Sequence, residues 1–94
     1  MNLFESEGAH LLIGALKEFD NEEDIKAFLT DLMTTKELLD MSQRMQVAKL
    51  LKEGMVYSKI AEITGASTAT ISRVSRCYTY GEDGYKKAFE KIDK

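Results

Sequence analysis

The chain has no proline, one cysteine and one histidine among its 94 residues. Because proline interrupts helices, its absence suits an all-helical chain with short connections. A single cysteine cannot form an intrachain disulfide, so we expect a reducing, cytoplasmic setting. The sequence also lacks the Cys/His spacing of a metal site and a glycine-rich phosphate loop. We therefore expect no metal, no resident cofactor and no enzymatic activity.

Long apolar runs are missing as well. No segment approaches the stretch of about 20 apolar residues that spans a bilayer, and the acidic start of the sequence does not resemble a signal peptide. We therefore expect no membrane partner. The acidic residues between positions 18 and 24 lack the regular ligand spacing of a calcium loop, so they predict a solvated helix junction.

The charged residues are unevenly distributed. The formal net charge is −3, which argues against a generic nucleic-acid binder, but residues 1–40 hold ten acidic residues and three lysines, whereas residues 41–80 hold six basic and two acidic residues. Positive charge is thus concentrated in the middle of the chain, where it could face a polyanion. The length suits one small domain, which we place at residues 1–94.

Four helices follow from apolar residues spaced three and four positions apart. Asp20 or Asn21 can cap the second, and the pair Thr34 and Glu37 has the spacing of a capping box that begins the third. Gly54 marks the end of that long helix. With the two helices of the motif described next, the sequence predicts an all-α chain of six helices. The four segments are 12–19, 25–32, 34 to about 54, and 85–92.

Residues 58–76, SKIAEITGASTATISRVSR, have the spacing of a helix-turn-helix. Ala61 is small enough to let two helix backbones approach each other. Four residues later, Gly65 can take the positive φ of a tight turn, and Ser67 can cap the second helix. Ile71 is placed to fill the wedge between the helices. An ordinary helical hairpin has similar needs, so spacing alone leaves both interpretations open.

The outer face of the second motif helix favours DNA. With Ile71 inward and about 100° per residue, small and hydroxyl-bearing side chains lie outward near the start of the helix, and Arg73 and Arg76 lie further along. Cys77 lies nearer the inner side, so we expect a small packed side chain and not a reactive thiol. Small groups allow close approach to base edges, hydroxyls bond bases or phosphates, and arginines pair with guanine or phosphate. The candidate DNA-binding residues, including three at the start of the first motif helix, are Tyr57, Ser58, Lys59, Ser67, Thr68, Ala69, Thr70, Ser72, Arg73 and Arg76.

The amount of apolar surface favours a symmetric dimer. The first, second and last helices are strongly amphipathic, and one small chain has difficulty covering all of them. A twofold assembly would cover them and would present two recognition helices about 34 Å apart, the spacing of successive major grooves. A compact monomeric bundle of six helices is the other interpretation.

The stretch from Leu29 to Arg76 resembles the tryptophan repressor superfamily, in particular the small, uncharacterised tryptophan-repressor-like proteins of Gram-positive bacteria. The likeness is carried by LMTTKE at 32–37, Arg44 within MSQRMQV, LLKEG at 50–54 and GASTATISR at 65–73. It implies an intertwined, all-helical homodimer with a tryptophan-repressor-like fold that binds palindromic operators and controls transcription.

The resemblance also implies an effector site. Arg44 and Arg73 match the two arginines that hold the corepressor in that family, which would suit a small aromatic carboxylate. Val74 stands where the family has a glycine and Cys77 where it has a pocket serine, so we do not expect tryptophan as the ligand. Either another small effector binds, or Val74 fills the cavity. In a simpler interpretation, which we favour, Arg44 pairs with a carboxylate and Arg73 contacts phosphate.

A protein-interaction module is the competing function. In that case the motif is a docking surface, and the acidic first third of the chain binds a basic partner. An accessory subunit resembling the DNA-binding region of a sigma factor is a variant of the same hypothesis.

Overall fold

The computed structural model describes residues 2–93, and within that range it contains six α-helices and no strand. The predicted all-α fold of six helices is therefore confirmed. No helix in this part of the chain has the length and apolar character needed to cross a bilayer. The helices are α1 (Glu7–Glu18), α2 (Glu22–Leu32), α3 (Thr35–Lys52), α4 (Tyr57–Thr64), α5 (Thr68–Tyr80) and α6 (Gly84–Ile92).

Side-chain caps fix the starts of the first three helices. Asn21 Oδ1 accepts a hydrogen bond from the Asp24 amide at 2.9 Å, which confirms one of the two predicted caps of α2. At α3 the Thr34 amide donates to Glu37 Oε1 at 2.9 Å, and the Glu37 amide donates to Thr34 Oγ1 at 3.1 Å. The predicted capping box is thus present. The bonds from Thr34 hold the pKa of the Glu37 carboxyl below its usual value.

The chain divides after Leu38 into two compact units, which are described separately. The first unit contains α1 and α2, and neither helix has a buried residue. The rings of Phe19 and Phe28 lie 5.2 Å apart, yet Leu11 is 68% exposed. The apolar faces that the periodicity predicts are therefore formed but largely uncovered. The two helices form a hollow of about 380 Å³, which is lined by Gly8, Leu11, Leu12, Ala15, Phe28 and Leu32.

The second unit contains most of α3 together with α4, α5 and α6, and it holds the buried core. The core joins side chains from all four helices and from the turn between α4 and α5, so it fixes the motif to α3 and α6. Its buried members are Val47, Ala48, Ile60, Ala66, Ile71, Val74 and Phe89.

An ion pair links the ends of α3 and α6. Lys52 Nζ lies 2.9 Å from Asp93 Oδ2 and 5.6 Å from the centre of the Phe89 ring. The hydrogen bond between the two charged groups raises the pKa of Lys52 and lowers the pKa of Asp93. Both groups are solvent-accessible, so the pair contributes little to the stability of the fold.

Candidate nucleic-acid interface

The turn between α4 and α5 has the geometry that the sequence predicts. Gly65 takes φ 72° and ψ 7°, in the left-handed region, and its amide donates to the Ala61 carbonyl at 2.8 Å. The amide of Thr70 donates to Ser67 Oγ at 3.1 Å, so Ser67 is the N-cap of α5. The predicted turn glycine and the predicted cap are both confirmed.

Apolar packing sets which side of α5 faces outward. Ile71 is 1% exposed and Val74 is 2% exposed, and both belong to the core cluster that also contains Ile60 of α4. Ser75 and Tyr78 are half-buried on the same side of the helix. The predicted plug between the two motif helices is therefore confirmed, and the opposite side of α5 is left for contacts with a ligand.

That outer side of α5 carries hydroxyls, a small residue and two arginines, and the helix has no acidic residue. The exposed members are Thr68, Ala69, Arg73 and Arg76, and the half-buried members are Thr70 and Ser72. Ser67 Oγ also donates to Thr70 Oγ1 at 3.1 Å. These two hydroxyls are thus bonded to each other at the helix start. The hydroxyls of Thr68 and Ser72 take no part in this bond and are better candidates for contacts with a ligand.

The start of α4, the first helix of the motif, lacks a side-chain cap. Its N-cap residue is Val56, which has no polar side chain to accept from the first-turn amides of Tyr57 and Ser58. The N-terminal end of a helix attracts anions through its free amides and its dipole. Lys59 adds a positive charge that is shared with Glu62 at 3.8 Å in an exposed, weak pair.

The structure separates the four candidate effector residues. Arg44, Arg73 and Cys77 are exposed, whereas Val74 lies inside the core. A largely apolar groove of about 500 Å³ lies beside Cys77. We call it the Tyr85 groove; it is lined by Met45, Cys77, Gly81, Glu82, Gly84, Tyr85 and Ala88. Of the four candidates, only Cys77 is among these lining residues.

Tyr85, in the lining of this groove, has a pKa that its surroundings shift. Partial burial raises the pKa of the Tyr85 hydroxyl, and the neighbouring Cys77 raises it further. The positive charges of Arg44 and Arg73 lower the same pKa. Both arginines are therefore close enough to affect the groove electrostatically, although neither lines it.

Cys77 corrects one expectation from the sequence. Its place near the inner side of α5 suggested a packed side chain, but it is exposed. The helical register explains the difference, because Cys77 lies about 60° beyond Val74, on the flank of the helix rather than its buried side.

Sequence reasoning missed Gln43. Its side-chain Nε2 donates a hydrogen bond to the carbonyl of Thr64 at 3.2 Å, from α3 to the end of α4. No local pattern links two positions so far apart in the sequence. Elsewhere, no group of three or more potential metal ligands occurs within residues 2–93.

Three comparisons place these features among known proteins. An uncharacterised protein of Bacillus subtilis (strain 168), YerC, is 43% identical over 81 residues, which are 86% of this chain and 78% of YerC. A crystal structure of a TrpR-like protein from Eubacterium eligens ATCC 27750 superposes with a TM-score of 0.92 at 42% identity, covering 99% of this chain and 96% of that one. A second solved structure, from Staphylococcus aureus, superposes with a TM-score of 0.88 at 38% identity. The superposition covers 95% of this chain and 89% of that one.

The match to a family extends over all six helices. Residues 7–93 match the family described as Trp repressor protein. The exposed side of α5, the uncapped start of α4 and the left-handed turn between them all lie inside the matched range. The chain therefore belongs to the Trp repressor protein family and is, at that level of description, a DNA-binding regulator.

Proposed function

We propose that this protein is a transcriptional repressor that binds a palindromic operator in double-stranded DNA as a homodimer. The observation that carries the proposal is the outer side of α5, where hydroxyls and two arginines lie above a buried core and the helix has no acidic residue. Family membership supports a regulator rather than an enzyme.

In this proposal the phosphate backbone is held by the two ends of the motif. The first-turn amides of Tyr57 and Ser58 bond one phosphate, and Lys59 and Arg76 neutralise others. Such contacts set affinity and make it depend on salt, but they carry no sequence information.

In this proposal, the start of α5 recognises the base sequence of the DNA. The hydroxyls of Thr68 and Ser72 reach base edges directly or through water, and Ala69 permits close approach to a thymine methyl. Ser67 and Thr70 hold each other at 3.1 Å, so we assign them mainly to positioning the helix start against the DNA. Arg73 contacts phosphate from the middle of the outer side.

The dimer is supported by apolar surface that one chain leaves exposed. Leu11, Ile13 and Leu16 of α1 all remain at least partly open to solvent. A second copy would bury these side chains, at a gain of roughly 25 cal/mol per Å² of apolar surface. We propose that residues 1–94 act as one domain in that assembly. Its twofold axis would give a palindromic operator with half-sites about one helical turn apart.

Any effector is proposed to be a ligand other than tryptophan. Val74 has a β-branched side chain within the core, where a family glycine would leave room. Open space remains in the Tyr85 groove, which has Cys77 in its lining and is affected by the charges of Arg44 and Arg73. A screen of small carboxylates for increased melting temperature tests this part of the proposal, because a ligand of the folded state raises it.

Selection of bound duplexes from a random pool tests the main proposal. We expect the wild type to enrich a palindrome with half-sites about 10 base pairs apart. The control is the double variant Arg73→Ala with Arg76→Ala, which alters two exposed residues assigned to phosphate contacts and is expected to enrich the same palindrome much less strongly. A folded wild-type protein that enriches no sequence would contradict the proposal and would favour a protein-interaction module instead.

A further inference from the structure

We propose that Gln43 is a positioning residue for DNA reading: from α3 it holds the turn that sets the direction of α5. The inference rests on the proposed function, and it concerns a residue that acts through the turn and does not contact DNA itself. The contact that carries it is the hydrogen bond from Gln43 Nε2 to the Thr64 carbonyl, 3.2 Å long and partly buried.

The Thr64 carbonyl needs a partner from outside its own helix. Thr64 is the last residue of α4, and the last carbonyls of a helix have no intrahelical donor. The next residue, Gly65, turns the chain through the left-handed region, so the backbone leaves the helix axis at this point. A partly buried carbonyl without a donor is unfavourable, and the Gln43 amide removes that penalty.

Thr64 also ties this carbonyl to the start of the recognition helix. Its Oγ1 donates to the Ile60 carbonyl at 2.8 Å and accepts from the Ala66 amide at 3.1 Å. Ala66 is buried in the core, and the residue after it, Ser67, caps α5. A movement of Thr64 is therefore passed within three residues to the end of α5 that faces base edges.

Apolar packing alone does not fix this direction. Val47 of α3 and Ile71 of α5 share one core, which holds the helices together whether or not the hydrogen bond forms. Apolar contacts are non-directional, whereas a hydrogen bond is restricted in distance and angle. Loss of the Gln43 bond should therefore leave the protein folded and loosen the turn.

The test uses two variants and two matched controls. Gln43→Met keeps the length of the side chain but removes the amide, and Gln43→Glu replaces the donor with an acceptor. Gln46→Met and Gln46→Glu make the same changes three residues later on α3, at an exposed position. The controls therefore match the variants in composition, charge and helix, and differ in burial and in contact with the turn.

Hydrogen exchange in the absence of DNA measures how often the turn opens. In both Gln43 variants we expect the amides of Gly65 and Ala66 to exchange about tenfold faster, the change that corresponds to one hydrogen bond of ordinary net strength. The amides of Val47 and Ile71 should exchange as in the wild type. Equal acceleration at all four amides, or wild-type exchange at the turn, would overturn the inference.

DNA binding measures the consequence, at a temperature where every variant is folded. We expect the Gln43 variants to bind the selected operator about three- to tenfold more weakly with an unchanged salt slope, because no phosphate contact is removed. The Gln46 controls should bind like the wild type. Wild-type affinity in the Gln43 variants would reject the positioning role of Gln43 and leave the proposed function standing. Failure of the wild type to bind any duplex would reject the proposed function.

Discussion

Arg76 is a residue at which affinity and specificity can be separated. It is exposed towards the end of α5. In the proposed complex its guanidinium reaches phosphates beyond the start of the helix, which we assign to base reading. A phosphate contact contributes to binding every sequence and releases a counterion, and the slope of log K against log salt counts such contacts.

The Arg76→Ala variant should therefore bind all duplexes more weakly, with a salt slope that is shallower by about one unit per half-site. Titrations followed by fluorescence anisotropy at several salt concentrations measure both quantities. Lys91→Ala on α6 removes the same charge elsewhere and is the control. If Arg76→Ala and Lys91→Ala give equal slopes, Arg76 does not contact phosphate.

Thr68 should behave differently, because it is the first residue of α5 and is exposed at the end that we propose to face base edges. We expect Thr68→Ala to change the selected sequence at one position of each half-site, with a loss of discrimination of about 1 kcal/mol and an unchanged salt slope. Thr68→Ser keeps the hydroxyl and should keep the preference. Binding selections on both variants measure this, and identical consensus sequences would refute the assignment.

Among the structural elements, the turn between the motif helices sets the geometry of the site. Gly65 has φ 72°, and an added Cβ would meet nothing within 4 Å. The cost of Gly65→Ala is therefore backbone strain and not a clash, and we expect a loss of about 1–2 kcal/mol in the free energy of unfolding. Asparagine tolerates this conformation, so Gly65→Asn should lose less. Urea unfolding of the two variants gives the comparison, and equal losses would exclude strain as the cause.

The helices also show what could be predicted from sequence. Helix caps and the motif turn depend on residues within four positions of each other, so the sequence contains the whole signal. This holds for the caps at Asn21, Thr34 and Ser67 and for the turn at Gly65. The bond from Gln43 depends on how α3 packs against the end of α4. No local pattern contains that information, and the charge effect of both arginines on Tyr85 was missed for the same reason.

For the whole molecule, charge and apolar surface support the same mode of action. Residues 1–40 have a net charge of −7 and residues 41–80 have a net charge of +4. In the proposed complex, a duplex would attract the segment that contains the motif and repel the acidic segment. The acidic segment also contains α1 and α2, neither of which has a buried residue, so we propose that this segment joins the two copies.

Dimerisation can be tested through Leu11, which is 68% exposed and lines the hollow on α1 and α2. Sedimentation of the wild type should give twice the chain mass of 10.6 kDa, and its melting temperature should rise with protein concentration. Leu11→Ser should shift the protein towards monomer, whereas Lys17→Ser on the same helix should not. Because a monomer presents one recognition helix, Leu11→Ser should also bind a full palindrome no better than a single half-site. A wild-type monomer with full affinity for the palindrome would show that two copies are not required.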